Sequence, residues 1–126
     1  MPVKYTVSER GNPLQPLQPK KWYANSKSAG DTTLRALSKE IAARSTVSPA
    51  DIHAVLISLT EVLSEHLSNG KIVRLGDFGA FQVSISSAGA ETAAKFNTSL
   101  IKGGKVVFRP GVDLKEMLKN LKYEKA

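Results

Sequence analysis

Residues 69–83 of this chain read Asn-Gly-Lys-Ile-Val-Arg-Leu-Gly-Asp-Phe-Gly-Ala-Phe-Gln-Val, and the pattern predicts a change from helix to sheet. Asn69-Gly70 indicates a helix end, because glycine readily adopts the left-handed conformation found there. Alternating apolar residues then predict strands over Ile72–Leu75 and Ala80–Ser86. The segment Phe78–Phe81 indicates a tight hairpin whose glycine avoids a blocking side chain and whose two rings lie at the base of a sheet.

Two helices are predicted before this stretch. The first runs from about Thr32 to Arg44, with Asp31 or Thr32 available as its cap, on an apolar stripe of Leu34, Leu37, Ile41 and Ala42. Ser48-Pro49 then gives a strong helix start, so the second helix is expected from Pro49 to about Ser68. Its apolar stripe is wider than one neighbour requires, which indicates burial against a partner subunit. That stripe consists of Ile52, Val55, Leu56, Leu59, Val62, Leu63 and Leu67.

A third strand and a final helix are predicted after the hairpin. Between the second and third strands, Ser87–Gly104 is rich in small residues and indicates a long protruding connection. The third strand covers Val106–Arg109, and Pro110-Gly111 ends it. Asp113 is expected to cap the last helix, whose stripe is Leu114, Met117, Leu118 and Leu121. The order helix, helix, strand, strand, excursion, strand, helix predicts an α+β fold.

The first thirty residues form a separate segment in this interpretation. Val3–Val7 and Lys20–Ser26 have the character of short strands, and a repeated Leu-Gln-Pro unit lies between them. Residues 1–30 are therefore predicted to be an extension of short strands or polyproline II structure, with a hairpin possible. Residues 31–126 are predicted to be the main domain, with an arm over about residues 84–105.

Composition favours a soluble basic domain with an anionic partner. The 126 residues carry a net charge of +7 at pH 7 with a pI near 9.8, and residues 1–30 alone contribute five cations against one anion. A basic surface attracts polyanions and gains from counterion release. With no cysteine, no apolar run long enough to cross a membrane and no signal-like start, the prediction is a cytoplasmic protein without a membrane partner.

The decisive stretch resembles the bacterial histone-like HU/IHF superfamily of DNA-binding proteins. That family typically reads Gly-x-x-Val-x-Leu-x-x-Phe-Gly-x-Phe-x-Val, which is matched without a gap by Gly70, Val73, Leu75, Phe78, Gly79, Phe81 and Val83. The segment Phe108–Gly111 and the helix after it resemble the closing Phe-Lys-Pro-Gly and helix of the family. The resemblance covers about residues 31–121. The extension Met1–Ser28, with its prolines, lysines and aromatic residues, is most similar to Bacteroidetes-type HU-related proteins.

This resemblance implies an architecture and a function. The fold would be HU/IHF-like: two amino-terminal helices, a three-stranded antiparallel sheet with a protruding β-arm, and a carboxyl-terminal helix, in an intertwined homodimer. The function would be binding and bending of double-stranded DNA without sequence preference, as a nucleoid-associated protein in DNA condensation. Residues 84–105 contain no arginine and no proline, so intercalation by a proline at the arm tip is not expected.

The candidate DNA-binding residues follow from the resemblance and from the charge pattern. Arg109 stands where the family places a phosphate-contacting lysine, and Phe96 either replaces the missing wedge or packs on its own hairpin. Lys20 and Lys21, beside Trp22 and Tyr23, either contact phosphate and stack on bases or belong to a packed strand. Arg74, Lys71 and the remaining lysines are either phosphate contacts or ordinary surface charges. The full set is Arg109, Lys105, Lys102, Lys95, Arg74, Lys71, Lys115, Lys20 and Lys21.

Catalysis is not predicted. The chain has no complete nucleophile or phosphate-loop motif, and His53 and His66 are too far apart on their helix to share a metal. No enzyme activity, cofactor, metal or small-molecule substrate is therefore expected. The alternative to DNA binding is an HU-like structural or protein-interaction module in which the poorly charged arm has weakened or lost its DNA contact.

Overall fold

The computed structural model describes residues 2–126 and has three helices and two three-stranded sheets. The chain divides into two compact units. One contains the described residues up to Thr33 together with Met117–Ala126, and the other is Leu34–Glu116. The α+β class predicted from the sequence is confirmed. No helix within residues 2–126 has the length and apolar character needed to cross a membrane.

The amino-terminal sheet is built from both ends of the described chain. Strands β1 (Val3–Arg10) and β2 (Lys21–Lys27) form an antiparallel hairpin, and β6 (Tyr123–Lys125) pairs with β1 in parallel. The Val3 N–H donates to the Lys122 carbonyl at 2.7 Å, and the Ala126 N–H donates to the Tyr5 carbonyl at 2.9 Å. Of the alternatives left open for residues 1–30, the structure has the hairpin, whereas β6 was not predicted.

Helices α1 (Leu34–Ala43) and α2 (Pro49–Ser68) pack against each other in the second unit. The Ser48 hydroxyl accepts a hydrogen bond from the Asp51 N–H at 3.2 Å, and Pro49 occupies the first turn, so α2 begins and ends as predicted. The first helix starts at Leu34, later than the predicted start near Thr32, so neither Asp31 nor Thr32 immediately precedes it as the predicted cap.

The central sheet has the order β3-β4-β5 and is antiparallel, as predicted for the main domain. Its strands are β3 (Val73–Arg74), β4 (Gly79–Ser87) and β5 (Ile101–Pro110). The first strand is shorter than the predicted Ile72–Leu75, because only Val73 and Arg74 pair with β4 and Leu75 already adjoins a 3₁₀ turn over Gly76–Phe78. Helix α3 (Val112–Lys119) follows β5 directly.

Two details of the sequence interpretation are corrected in this region. The excursion predicted over Ser87–Gly104 is shorter, because Ile101–Gly104 already pair with β4 and only residues 88–100 lie outside the ladder. Alternation of apolar residues could not show this, since Gly103 and Gly104 carry no side chain. Asp113 lies inside the first turn of α3 and does not cap it, and the helix ends before Leu121.

Two glycines allow the backbone at the start of β4 to lie close to the backbone between β5 and α3. A Cβ at Gly111 would lie 2.2 Å from the Asp77 carbonyl oxygen, and one at Gly79 would lie 2.5 Å from the Arg109 carbonyl oxygen. The Gly111 N–H donates to the Phe78 carbonyl at 3.0 Å. Close backbone approach thus requires glycine at position 79, which agrees with its prediction as a position where a side chain would block the hairpin. Gly111 was predicted only to end the third strand, and the structure gives it the same steric role.

The second unit contains little buried apolar surface. Among the described residues, Ile52 is the only buried hydrophobic side chain, at 8% exposure, and Ser38 is the only buried polar residue, with its hydroxyl donating to the Leu34 carbonyl. Large apolar side chains on α2 stay exposed, with Val55 at 63% and Val62 at 48%. A domain of this size normally buries most of its apolar residues, so this unit is incompletely covered as a single chain.

Candidate nucleic-acid interface

The register of the central sheet separates its side chains into two chemically different faces. Residues directly opposite each other in an antiparallel pair project to the same side. Ala80 pairs with both Arg74 and Arg109, and Lys105 pairs with Ser84 further along, so these side chains share one face. This set of cations, Arg74, Arg109 and Lys105, is called the cationic strip below.

The other face of the central sheet is apolar. Phe81 pairs with both Val73 and Phe108, and Val83 pairs with Val106. The rings of Phe81 and Phe108 lie 4.9 Å apart between centroids, and Phe78 lies 5.7 Å from Phe108 in an edge-to-face arrangement. These rings anchor the base of the hairpin, as the motif predicted.

The two arginines of the cationic strip border one open groove. Arg74, Ala80 and Arg109 line it together with the glycines and the proline at the sheet end, and its volume is about 320 Å³. Both arginine side chains are exposed. Because Ala80 is small, nothing between the two guanidinium groups rises above the sheet. Guanidinium groups placed in this way can each donate two hydrogen bonds to a phosphate.

Two lysines border a second groove on the arm. Lys102 and Lys105 line it with Ser84, Ser86, Ile85 and the two arm glycines, and its volume is about 350 Å³. The ladder has an irregularity between Ser86 and Ser87, which leaves Lys102 as the extra residue of β5. The bulge and the small glycines give both ammonium groups access to the same groove. The structure therefore brings together two of the predicted arm lysines.

No acidic residue interrupts these surfaces. Strands β3, β4 and β5 contain Arg74, Lys102, Lys105 and Arg109 and neither aspartate nor glutamate. Charge of one sign on one sheet produces a positive potential along its length, since opposite charges do not neutralise it locally. This segregation could not be read from the overall charge of +7, because a total charge does not show which strands carry the cations.

Three other predicted cations do not join the cationic strip. Lys95 lies in the tip of the arm, where its Nζ forms an exposed ion pair with the Oε2 of Glu91 at 3.2 Å. Lys71 lies in the turn before β3, and its N–H donates to the His66 carbonyl at 3.1 Å. Lys115 lies exposed on α3. Each of the three stands outside the central ladder.

The arm tip, residues 88–100, is folded locally. Two 3₁₀ turns, Ala93–Lys95 and Thr98–Leu100, each begin with a polar side chain that accepts a backbone N–H, Thr92 in the first and Asn97 in the second. Phe96 lies between the turns with 41% of its surface exposed, and no ring contact of the described residues involves it. The tip thus presents one half-exposed aromatic side chain and a lysine that pairs with an acid.

Lys20 and Lys21 belong to the amino-terminal sheet. Lys20 lies in the connection before β2, and Lys21 is the first residue of that strand, opposite Arg10. The neighbouring Trp22 projects to the opposite side of the strand from Lys21, because successive side chains alternate. Lys21 and Trp22 are neighbours in sequence, but the strand places their side chains on different faces.

The helix-helix-sheet-helix order and the acid-free cationic face define a small basic α+β domain. The chain belongs to the HU-HIG family, described as an HU domain fused to wHTH, Ig or glycine-rich motif, whose model matches residues 1–125. The resemblance to HU proteins predicted from residues 69–83 is therefore confirmed.

One solved structure with a similar fold comes from Bacteroides vulgatus and is described as a "Putative bacterial DNA binding protein". Its sequence is 14% identical, the TM-score is 0.68, and the match covers 98% of this chain and 47% of that one. The chain thus spans about half the length of this structural neighbour. No curated protein matches it.

Proposed function

We propose that this protein binds double-stranded DNA without sequence preference, through the cationic strip and the arm lysines of the central sheet. The observation that carries the proposal is the placement of Arg74 and Arg109 on either side of Ala80, on strands without an acidic residue. Membership of an HU family and the description of the Bacteroides vulgatus structure both support DNA as the partner.

The chemistry of the strip favours contacts to the DNA backbone. Arginine, lysine and serine side chains commonly contact phosphate and sugar oxygens, which carry no direct sequence information. Along the strip these groups recur as Arg74, Arg109, Ser84 and Lys105. Binding of this kind depends on counterion release, so it should weaken steeply as salt increases.

We further propose that the DNA-binding form is a homodimer. Val55, Leu59 and Val62 form one exposed stripe on α2, spaced to lie on the same side of the helix. The apolar face of the central sheet is also open, with Ile85 at 64% exposure. An intertwined HU-like dimer would cover both surfaces, as the family resemblance implies. A second copy would also bring a second cationic strip to the same duplex.

Bending of the bound DNA is the finer part of the proposal. The resemblance to HU implies that two arms reach around the duplex and that an apolar side chain at each tip opens a base step. Phe96 is the half-exposed ring available for this role. We expect Phe96→Ala to reduce the bend angle measured by fluorescence transfer across a labelled duplex, while affinity changes little. An unchanged bend angle would exclude the wedge.

Architectural binding of this kind would place the protein in the nucleoid of the cytoplasm, as a contributor to DNA condensation without catalytic activity. The division into an extension, residues 1–30, and a DNA-binding domain, residues 31–126, is part of the same proposal. The remaining predicted cations, Lys71, Lys95, Lys115 and Lys20, would add weaker phosphate contacts at the margins of the bound duplex.

The experiment that tests the proposal is a titration of a short duplex at several salt concentrations. The logarithm of the binding constant should fall linearly with the logarithm of the salt concentration, with a slope of about −0.9 for each phosphate contacted. Duplexes of unrelated sequence should give the same slope and affinity. Absence of binding at low salt would instead favour the alternative, an HU-like module that interacts with protein.

A further inference from the structure

The hairpin of the amino-terminal sheet carries its cations on one face. In the register of β1 and β2, Lys4 stands opposite Lys27 and Arg10 stands opposite Lys21. The pairs Thr6–Asn25 and Ser8–Tyr23 lie between them on the same side, because opposite residues project together and every second residue shares a face. The four cations Lys4, Arg10, Lys21 and Lys27 are called the hairpin cationic face below.

Hydrogen bonds between side chains connect Ser8, Arg10 and Asn25 on this face. An Arg10 guanidinium nitrogen donates to the Asn25 side-chain oxygen, and the Asn25 amide nitrogen donates to the Ser8 hydroxyl at 2.8 Å. At the turn end of the hairpin, Arg10, Lys21 and Tyr23 line a small polar cavity of about 90 Å³ with Asn12, Gln18 and Pro19. The cations are therefore interspersed with groups that donate hydrogen bonds.

The opposite face of the same sheet is apolar and aromatic. Val3, Tyr5 and Val7 alternate with the cationic-face residues of β1, and the register adds Trp22 and Tyr123 to this side. Its charged residues within the three strands are Glu9 and Lys125. On the cationic side the only acid within the strands is Glu124, which stands opposite Lys4 on β6. Charge is thus segregated to one side of a thin sheet.

This arrangement is unfavourable for the hairpin alone. Like charges placed directly opposite each other in a sheet are destabilising. Within residues 2–126, none of Lys4, Lys21 and Lys27 forms an ion pair. Arg10 and Lys21 therefore repel each other with no acid opposite them, whereas Glu124 on β6 partly offsets the repulsion between Lys4 and Lys27. A polyanion bound across the face would remove both repulsions together.

We propose that the hairpin cationic face is a second binding surface for the DNA backbone, separate from the cationic strip of the central sheet. The two cation pairs stand at opposite ends of β1, roughly 20 Å apart at about 3.4 Å per residue. A duplex presents one phosphate charge per roughly 1.7 Å of its axis, so it can meet both pairs at once. That the partner is DNA rests on the function proposed above.

The distribution of side chains favours DNA over an anionic membrane. Surfaces that bind lipid combine cations with apolar side chains that enter the acyl layer. Here the apolar residues Tyr5, Trp22 and Tyr123 lie on the opposite side of the sheet from the cations. The hydroxyl and amide groups of Thr6, Ser8 and Asn25 accompany the cations instead, and such groups commonly contact phosphate and sugar oxygens.

The test compares variants that remove equal charge from the two sides of this sheet. Lys27→Gln changes the cationic face, and Lys125→Gln is its matched control on the opposite face. Duplex binding is measured against salt concentration for both, and Lys21→Gln/Lys27→Gln extends the series. We expect the salt slope to decrease by about 0.9 for each lysine removed from the cationic face and to stay constant in Lys125→Gln.

Unfolding measurements separate binding from folding. Lys21→Gln/Lys27→Gln takes one member from each like-charge pair, so its unfolding midpoint should equal or exceed that of the unaltered protein. Weaker DNA binding with undiminished stability supports the proposal. Weaker binding that follows a loss of folded protein, or equal effects of Lys27→Gln and Lys125→Gln, would overturn it.

A further variant keeps this proposal distinguishable from the proposed function. If Arg74→Gln/Arg109→Gln weakens duplex binding and the lysine pair variant does not, the hairpin surface is rejected and the cationic strip stands. The reverse result supports the hairpin and rejects the strip. Absence of duplex binding by the unaltered protein rejects both. If the lysine pair variant loses binding to phosphatidylserine vesicles but keeps its binding to the duplex, the hairpin is a lipid surface and is rejected as a DNA surface.

Discussion

Arg74 and Arg109 stand on either side of Ala80 on one face of the central sheet, although β3 and β5 do not pair with each other. The middle strand therefore sets the spacing of the two guanidinium groups through a residue too small to separate them. A larger side chain at this position would rise between the arginines. The relationship identifies Ala80 as part of the surface, although it carries no functional group.

Removing both arginines should weaken DNA binding. For Arg74→Gln/Arg109→Gln we expect a salt slope about 1.8 smaller in magnitude, since each lost phosphate contact removes about 0.9. Fluorescence anisotropy of a labelled duplex across a salt series measures this change. The double variant Arg35→Gln/Arg44→Gln removes the same charge from exposed positions of α1 and its end, so it serves as the control. Equal slopes in the two variants would contradict a specific role of the strip.

The arm lysines should differ in their contributions. Lys102 and Lys105 border one groove, whereas Lys95 already has Glu91 as its partner. The double variant Lys102→Gln/Lys105→Gln is expected to lower both the DNA affinity and the salt slope. For each charge removed, Lys95→Gln should change the affinity and the slope much less. The same titration with unlabelled competitor duplex provides the comparison. A dominant effect of Lys95→Gln would place the contact at the arm tip instead.

The exposed stripe of α2 should be a subunit contact. Val62→Asp would bury an unpaired carboxylate in the proposed dimer, which costs several kcal/mol or more, so the dimer should dissociate and the fold should weaken. Sedimentation equilibrium gives the mass, and circular dichroism at a series of concentrations gives the unfolding midpoint. The midpoint of the unaltered protein should rise with concentration.

Ser64→Asp is the matched control for this stripe, because it introduces the same charge on α2 away from Val62. It should leave the mass unchanged. If Val62→Asp has the same mass and midpoint as the control, α2 does not form the subunit contact.

Gly111 should tolerate no side chain. In Gly111→Ala the added Cβ would meet the carbonyl group and neighbouring backbone of Asp77 and Gly79, which cannot move independently. We expect a loss of at least about 1–3 kcal/mol in the free energy of unfolding, as for other overpacked sites. Urea unfolding measures it. Gly89→Ala, where nothing lies within 4 Å of the new Cβ, should stay close to the unaltered value.

Much of the second unit could be predicted because its signals are local. Ser48-Pro49 and Asn69-Gly70 fixed the two ends of α2, and the Phe78–Phe81 motif located the hairpin and its ring cluster. The site was harder to predict. Which cations share a face depends on strand register, and register is set by pairing with residues distant in sequence. The sequence therefore leaves Arg74 open between a phosphate contact and an ordinary surface charge.

The amino-terminal sheet shows the same limit more strongly. Tyr123–Lys125 is too short and too polar to indicate a strand by its own pattern, and it becomes one only because β1 offers a free edge. Lys4, Arg10 and Lys27 were counted as charge but not placed together. A deletion of residues 1–30 would also remove the partner of β6, so point variants test this region more clearly than truncation.

The parallel pairing of Val3 with Tyr123 also constrains when this sheet can form. Residues 3 and 123 leave the ribosome at very different times, and contacts of such large sequence separation form slowly because a long loop must close first. The β1–β2 hairpin and the central sheet use nearer partners. Until the segment that contains Tyr123 has been synthesised, the nascent chain must expose an unpaired strand edge at Val3–Tyr5. That edge is open to pairing with another chain during synthesis.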